Sequence, residues 1–180
     1  MKIFLTGATG YIGEAVGRAF IRAGHEVVGL THSPQKVRLL SEAGVRPIVG
    51  DLKTPDSFRK EARACDVLIH AAFEYSPVGP HTDRIAVEAL SECAISAQAR
   101  RLLIYTSGVW VLGRQAGAPA DEKSPALLVD GLPPLCDLCH GYFTPSVTRP
   151  MLRALPAMVR TAASISAAVK SGILVVAMSS

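Results

Sequence analysis

The stretch MKIFLTGATGYIG, residues 1–13, decides the fold. An apolar strand signal, KIFLT at residues 2–6, runs straight into a turn with glycine at positions 7, 10 and 13. An amphipathic segment follows at once. From about Tyr11 to Ala23, the apolar residues Ile12, Val16, Phe20 and Ala23 recur at helical spacing. Gly24 suits the C-terminal cap, because glycine tolerates the left-handed conformation.

The same alternation continues outward. HEVVGL (25–30) reads as a second strand, and Ser33-Pro34 read as the N-cap and first residue of a helix that Gly44 ends. RPIVG (46–50) is a third strand, and Thr54-Pro55 open a third helix. DVLIH (66–70) is a fourth strand, followed by a helix from about His81 to Ala99 and a fifth strand, RLLIYTS (101–107). Strands alternating with helices predict an α/β fold, a doubly wound parallel sheet with helices on both faces. Right-handed crossovers then put the ligand crevice at the carboxyl ends of the strands.

Composition bounds the function. A chain of 180 residues with 49% hydrophobic residues and a mean hydropathy of +0.29 is globular and rather apolar. The net charge of +4 is scattered, without a basic run or interleaved aromatics, so nucleic acid is not an expected partner. The start lacks the pattern of a signal peptide, and no apolar run has the length of a membrane helix. Four cysteines without a secretory signal read as free thiols in a reducing, cytoplasmic setting. The pattern shifts near Pro125: 28 charged residues lie in 1–124 and six in 125–180, and seven of the 12 prolines fall between Pro119 and Pro156. Residues 1–124 are therefore read as one domain and 125–180 as a divergent or truncated segment. That segment has one helix signal, from about Met151 to Lys170, and one strand signal, GILVVAM (172–178), which could complete the sheet.

The glycine triplet suggests a chemistry. A dinucleotide pyrophosphate needs backbone N–H donors at close range, where side chains would obstruct. Gly7 lets the chain turn tightly, Gly10 lets backbone and phosphate meet, and Gly13 lets helix pack on strand. The helix N-terminus adds partial positive charge and unpaired N–H groups. A bare triplet is weak evidence, and a tight strand–helix turn with no ligand is the plainer alternative. The strand before it, and the helix and strand after it, favour binding.

The wording TGATGYIG resembles the short-chain dehydrogenase/reductase superfamily, particularly its extended and atypical branches, which include sugar-nucleotide epimerases, dehydratases and 3β-hydroxysteroid dehydrogenase-like proteins. Three further stretches carry the resemblance, which covers roughly residues 1–124. GDL at Gly50–Leu52 looks like the acidic contact with adenine, DVLIHAA at Asp66–Ala72 like the strand whose end lines the cofactor, and YTSGVWVLG at Tyr105–Gly113 like the fifth strand with its active-site serine segment. The resemblance implies a three-layer αβα Rossmann domain binding NAD or NADP. Gly7, Gly10 and Gly13, with Ala8, Thr9, Tyr11 and Ile12 between them, would hold the pyrophosphate. Asp51 and Leu52 would frame the adenine, and Ala71 and Ala72 would flank the cofactor. Thr106 and Ser107 would face nicotinamide and substrate. The implied reaction is hydride transfer at a carbinol or carbonyl carbon of a small molecule, such as a nucleotide sugar or another alcohol or ketone. Family members often pair through helices on the flank of the sheet, so a homodimer is expected.

An acidic residue about 20 positions past the glycine loop would select NAD by binding the ribose 2′-hydroxyl. Thr31, His32 and Ser33 stand there instead, with Lys36 and Arg38 nearby, which favours NADP. Ser33 as a helix cap, and Lys36 and Arg38 as solvated helix residues, are the plainer alternatives.

The catalytic half is altered. The superfamily uses a tyrosinate whose pKa a lysine four residues on lowers. The only tyrosine beyond the serine segment is Tyr142, and Ser146 stands four residues after it. Lys123 and Lys170 have no tyrosine four positions before them. Aligning on Gly113 also places Gly108 where many extended members carry the serine. Two explanations stand side by side: an atypical member that keeps the fold without the dyad, or a truncated or frameshifted C-terminal third. A non-catalytic dinucleotide-binding regulator or redox sensor is the alternative function.

Other motifs weigh less. CDLCH at Cys136–His140 matches a haem-attachment pattern, but without an export signal its cysteines read as incidental, and no metal site is expected. His70 reads as near the cofactor or as a satisfied core histidine. Trp110 reads as pocket lining or packing, and DEKS at Asp121–Ser124 as solvated loop.

Overall fold

The computed structural model describes residues 1–96, 99–108 and 173–179. Its main sheet has the order β3-β2-β1-β4-β7-β8. The strands are β1 (Lys2–Thr6), β2 (Glu26–Thr31), β3 (Arg46–Val49), β4 (Val67–His70), β7 (Leu102–Gly108) and β8 (Ile173–Ser179). The first five are parallel, and β1 lies at the point where the order reverses, between β2 and β4. β8 is the GILVVAM segment; it runs antiparallel to β7, from Leu102 opposite Ser179 to Gly108 opposite Ile173. A two-residue antiparallel bridge, β5 (Ile95–Ser96) with β6 (Ala99–Arg100), stands apart from this sheet.

Two rows of alternating strand residues build two cores. Ile3 and Leu5, Val67 and Ile69, Val27 and Ile104 point to one face, where Val16, Phe20 and Ile21 of α1 (Tyr11–Arg22) and Leu40 of α2 (Val37–Glu42) cover them. Phe4, Val28, Leu30, Leu68 and Leu103 point to the other, under Ala62 of α3 (Arg59–Arg63) and Ala89, Leu90 and Cys93 of α4 (Gly79–Ala94). The strands are near-continuous apolar runs because helices bury both faces of a parallel sheet.

The helix ends follow local chemistry. After α1, the N–H of Gly24 donates to Ile21 O (2.9 Å) and that of His25 to Phe20 O (3.0 Å), with Gly24 at φ +81°. This is a Schellman end, and the Phe20–His25 ring contact seals it. The second and third helices start at the expected prolines, but not as α-helix. Each opens as a 3₁₀ turn, at Pro34–Lys36 and Pro55–Ser57, and becomes α-helix afterwards. Ser33 occupies the N-cap position, but its hydroxyl donates to Gln35 Oε1 (2.7 Å), so it makes no side-chain cap. α4 begins before His81, since Pro80 fits its first turn, and ends at Ala94 rather than Ala99. Arg101, just beyond, donates to the carbonyls of Arg63 (2.6 Å), Cys65 (3.1 Å) and Cys93 (3.2 Å), tying the ends of α3 and α4 together.

Cys65 and Cys93 are free and buried, and burial pushes the Cys65 thiol up to about 11 and the Cys93 thiol upward as well. Among the described residues, no helix is long and apolar enough to cross a membrane. Phe58 is 1% exposed and stacks on Phe4, with ring centroids 5.9 Å apart. Phe58→Ala should cost about 3–5 kcal/mol of unfolding free energy. Guanidinium denaturation followed by circular dichroism measures it.

Candidate functional site

The carboxyl ends of β1, β2, β3 and β4 meet around the β1–α1 turn, at the switch point of the sheet. Gly7 has φ +69°, and its N-terminal neighbour Thr6 ends β1. A Cβ on Gly7 would lie 2.5 Å from Ala71 O and 2.7 Å from Ala72 N. A Cβ on Gly13 would lie 2.6 Å from the Gly7 carbonyl carbon. Both glycines are therefore required by the protein itself, which packs backbone on backbone here.

Gly10 differs. Its N–H donates to Gly7 O (2.8 Å), and its φ of −91° and ψ of 167° suit any residue. A Cβ there would meet one atom, Gly7 O at 3.2 Å. Gly10 is the N-cap of α1, and no side chain caps that helix. The first-turn N–H groups, which have no partner within a helix, are left for another acceptor. Ala8 is buried, Ile12 and Thr9 are half-buried, and Tyr11 stands 92% exposed beside the turn. The turn thus fits an anionic group: it offers backbone donors, and at Gly10 no side chain stands over them.

At the end of β2, Thr31 is buried, and its hydroxyl both accepts from the Ser33 N–H (3.2 Å) and donates to Ser33 O (3.3 Å). His32 is exposed and Ser33 half-buried. Arg38 pairs with Glu42 one turn on (2.7 Å), as a solvated helix residue does. Beyond β3, the Asp51 carboxylate accepts the Lys53 N–H (2.9 Å), closing a tight turn, and Leu52 packs against the core. Lys53 then reaches across to Glu74, in the segment after β4 (3.0 Å). Glu74 also accepts from Ser76 (2.8 Å) and Thr82 (3.1 Å). Lys53 above all, then these hydroxyls, holds the Glu74 carboxyl below the usual range.

Ala71 and Ala72 are half-buried and pass over Gly7. Their N–H groups donate to Thr6 Oγ1 (3.2 and 3.3 Å). Thr6 Oγ1 lies 2.6 Å from His70 Nδ1, and His70 Nε2 lies 3.0 Å from Asp83 Oδ1. The Tyr105 hydroxyl donates to Asp83 Oδ2 (2.8 Å). Of the two readings of His70, the structure bears out the satisfied core histidine: it is 1% exposed, with both ring nitrogens engaged. Thr6, Asp83 and Tyr105 went unnoticed in the sequence as site residues. Their signal is strand register. Thr6 is opposite His70, and His70 opposite Tyr105, so three polar residues form one row beyond the apolar row of Phe4, Leu68 and Leu103.

Thr106 and Ser107 lie near the carboxyl end of β7, with Thr106 half-buried. Trp110, the DEKS turn, Cys136–His140, Tyr142 and the helix signal at 151–170 lie outside the described residues. Among the described residues, no group of three His, Cys, Asp or Glu side chains could hold a metal.

Two outcomes follow from this geometry. Gly13→Ala should destabilise the fold by more than about 2 kcal/mol, because backbone must move to admit the methyl group, whereas Gly10→Ala, which meets only Gly7 O and exchanges a favoured N-cap residue, should cost about 1 kcal/mol. Thermal unfolding of the two variants checks the contrast. The lowered pKa of Glu74 gives stability that is present above the ordinary carboxylate pKa and lost as pH falls through the folded value. Lys53→Met should raise the Glu74 carboxyl back toward the ordinary carboxylate range, as read by a carboxyl-carbon NMR titration.

The comparisons with known proteins agree with the turn. A family model described as NAD(P)H-binding matches residues 7–125. An uncharacterized protein of Schizosaccharomyces pombe is 38% identical over 116 residues, covering 62% of this chain and 39% of that protein. A 4-hydroxy-2-methyl-3-oxo-4-farnesyl-3,4-dihydroquinoline-1-oxide ketoreductase of Stigmatella aurantiaca is 33% identical over 72 residues, covering 40% of this chain and 22% of the ketoreductase. The chain thus spans well under half the length of these curated relatives. A UDP-glucose 4-epimerase from Bifidobacterium longum, solved with NAD⁺ and UDP, shares the fold at a TM-score of 0.59 and 18% identity, covering 70% of this chain and 42% of the epimerase. With the family model running from the glycine turn at Gly7 to residue 125, about two thirds of the chain, the chain belongs to the NAD(P)H-binding family.

Proposed function

We propose that this chain binds NADP, or less tightly NAD, across the carboxyl ends of β1, β2 and β4. It would serve hydride transfer at a carbinol or carbonyl carbon in a reductase- or epimerase-type reaction. Gly10 carries the reading. Gly7 and Gly13 are explained by internal packing, but Gly10 has no comparable internal reason to lack a side chain. Close approach of a phosphate to the α1 N-terminus supplies one. The turn from Gly7 to Gly13, with Ala8, Thr9, Tyr11 and Ile12, holds the pyrophosphate. Asp51 and Leu52 frame the adenine, and Ala71 and Ala72 flank the cofactor.

The dinucleotide, when bound, supplies or accepts the hydride; Thr106 and Ser107 hold the substrate oxygen. The substrate is a small alcohol or ketone or a nucleotide sugar, the chain works in the cytoplasm, and it pairs as a homodimer. His32 and Ser33, at the end of a β2 that carries no acidic residue there, take the ribose 2′-phosphate, with the buried Thr31 fixing the Ser33 backbone. A second reading, a dinucleotide-binding regulator without turnover, is favoured by one observation: no tyrosine in the sequence stands four residues before a lysine.

Titration with NADPH and NADH, followed by nicotinamide fluorescence, tests binding. NADPH should bind more tightly; tighter NADH binding overturns the cofactor choice, and no binding of either overturns the reading. Gly10→Val should fold but lose about 1.5–3 kcal/mol of NADPH binding, roughly tenfold or more. Turnover with a panel of ketones, alcohols and nucleotide sugars separates the enzyme from the regulator.

A further inference from the structure

Four buried side chains join three strands and a helix beneath the crevice. Thr6, His70, Asp83 and Tyr105 are 0%, 1%, 2% and 4% exposed. Their donor and acceptor roles follow from the ends of the chain. The Ala71 and Ala72 N–H groups both donate to Thr6 Oγ1, using its two lone pairs. Its own hydrogen must then go to His70 Nδ1, 2.6 Å away. That makes Nδ1 the acceptor and leaves the ring proton on Nε2, facing Asp83 Oδ1 at 3.0 Å. The other carboxylate oxygen accepts the Tyr105 hydroxyl at 2.8 Å. His70 and Tyr105 also stack, with centroids 5.7 Å apart and planes 22° from parallel.

The far end of this chain is on the strand whose next two residues are Thr106 and Ser107. The near end is the Ala71–Ala72 peptide, the backbone that passes so close to Gly7 that no Cβ fits between them. The geometry points to Tyr105, Asp83 and His70 as positioning residues that act through Thr6. They hold the Ala71–Ala72 peptide against the glycine turn and so couple the shape of the dinucleotide crevice to the end of β7. The effect on affinity rests on the dinucleotide reading above; the hydrogen-bond chain itself does not.

A buried polar row could instead serve stability alone, because any half-satisfied member of it would be costly. The two roles differ in reach. A stabilising cluster loses stability when cut but leaves the crevice backbone where it was. A positioning chain transmits the cut to Ala71 and Ala72, two hydrogen-bonded side chains beyond Asp83.

Nitrogen-15 NMR of the full chain reads this directly. Wild-type His70 should carry its proton on Nε2, with Nδ1 showing the shift of an unprotonated acceptor. Tyr105→Phe, which deletes one hydroxyl and keeps the ring, should move the Ala71 and Ala72 amide resonances and speed their hydrogen exchange. It should also weaken NADPH binding severalfold. Thr6→Val should weaken binding about tenfold, as expected for losing hydrogen bonds to a positioned backbone, and Thr6→Ser should restore it. If Thr6→Val does not fold, Tyr105→Phe and Thr6→Ser still decide the matter. Unmoved Ala71 and Ala72 amides in Tyr105→Phe, or an Nδ1-protonated His70, overturn the proposal. Should wild-type protein bind no dinucleotide, the cofactor reading fails while the amide shifts still judge the chain of bonds.

Discussion

At Gly7, three pieces of backbone meet in a space that admits no side chain. The turn after β1, the third residue of helix α1 at Gly13, and the Ala71–Ala72 peptide after β4 all press on it. This contact sets the angle at which α1 leaves the sheet. It also sets the separation of β1 and β4 at their carboxyl ends, where the strand order reverses. Helix α1 then lays Val16, Phe20 and Ile21 on one face of the sheet, and α4 closes the other. Both cores therefore radiate from a junction made of peptide rather than of side chains.

Such a junction is held by directional bonds, because close-packed backbone by itself gives little specificity. Thr6 supplies them. Its hydroxyl gathers two amides from the segment just after β4 and is itself oriented by His70. The histidine is fixed by a carboxylate from α4, and that carboxylate by a tyrosine of β7. Polar groups this deeply buried remain only when every partner is present. Here none of the buried side-chain polar atoms among the described residues lacks a partner. Farther out, the crevice is bounded by a weaker, solvent-exposed link, the Lys53–Glu74 pair, which joins the turn after β3 to the segment after β4.

Much of this was legible in the residues. The short continuous apolar runs in KIFLT and DVLIH, and the four-residue spacing of Ile12, Val16 and Phe20, mark strands and helix from the local sequence. Glycine at positions 24 and 44 marks helix ends by its own conformational freedom. Shorter helices were harder to bound. Proline at 34 and 55 fits the first residue of either a 3₁₀ or an α-helix, so each opening turn was decided by packing. Position 83 gave no warning. An aspartate at helical spacing reads as solvated until a neighbouring strand brings a histidine and a tyrosine to it.

The sequence by itself determined the alternation of strands and helices, the parallel sheet that alternation demands, and the glycine turn at its switch point. Those are local properties, carried by periodicity and by residues with unusual backbone freedom. Only the tertiary structure decided which glycines the protein needs for its own backbone packing and which it does not. It alone turned His70 into the centre of a buried hydrogen-bond chain and set β8 antiparallel at the sheet's edge. Each of those depends on what a distant segment places within a few ångströms, and spacing along one chain does not encode that distance.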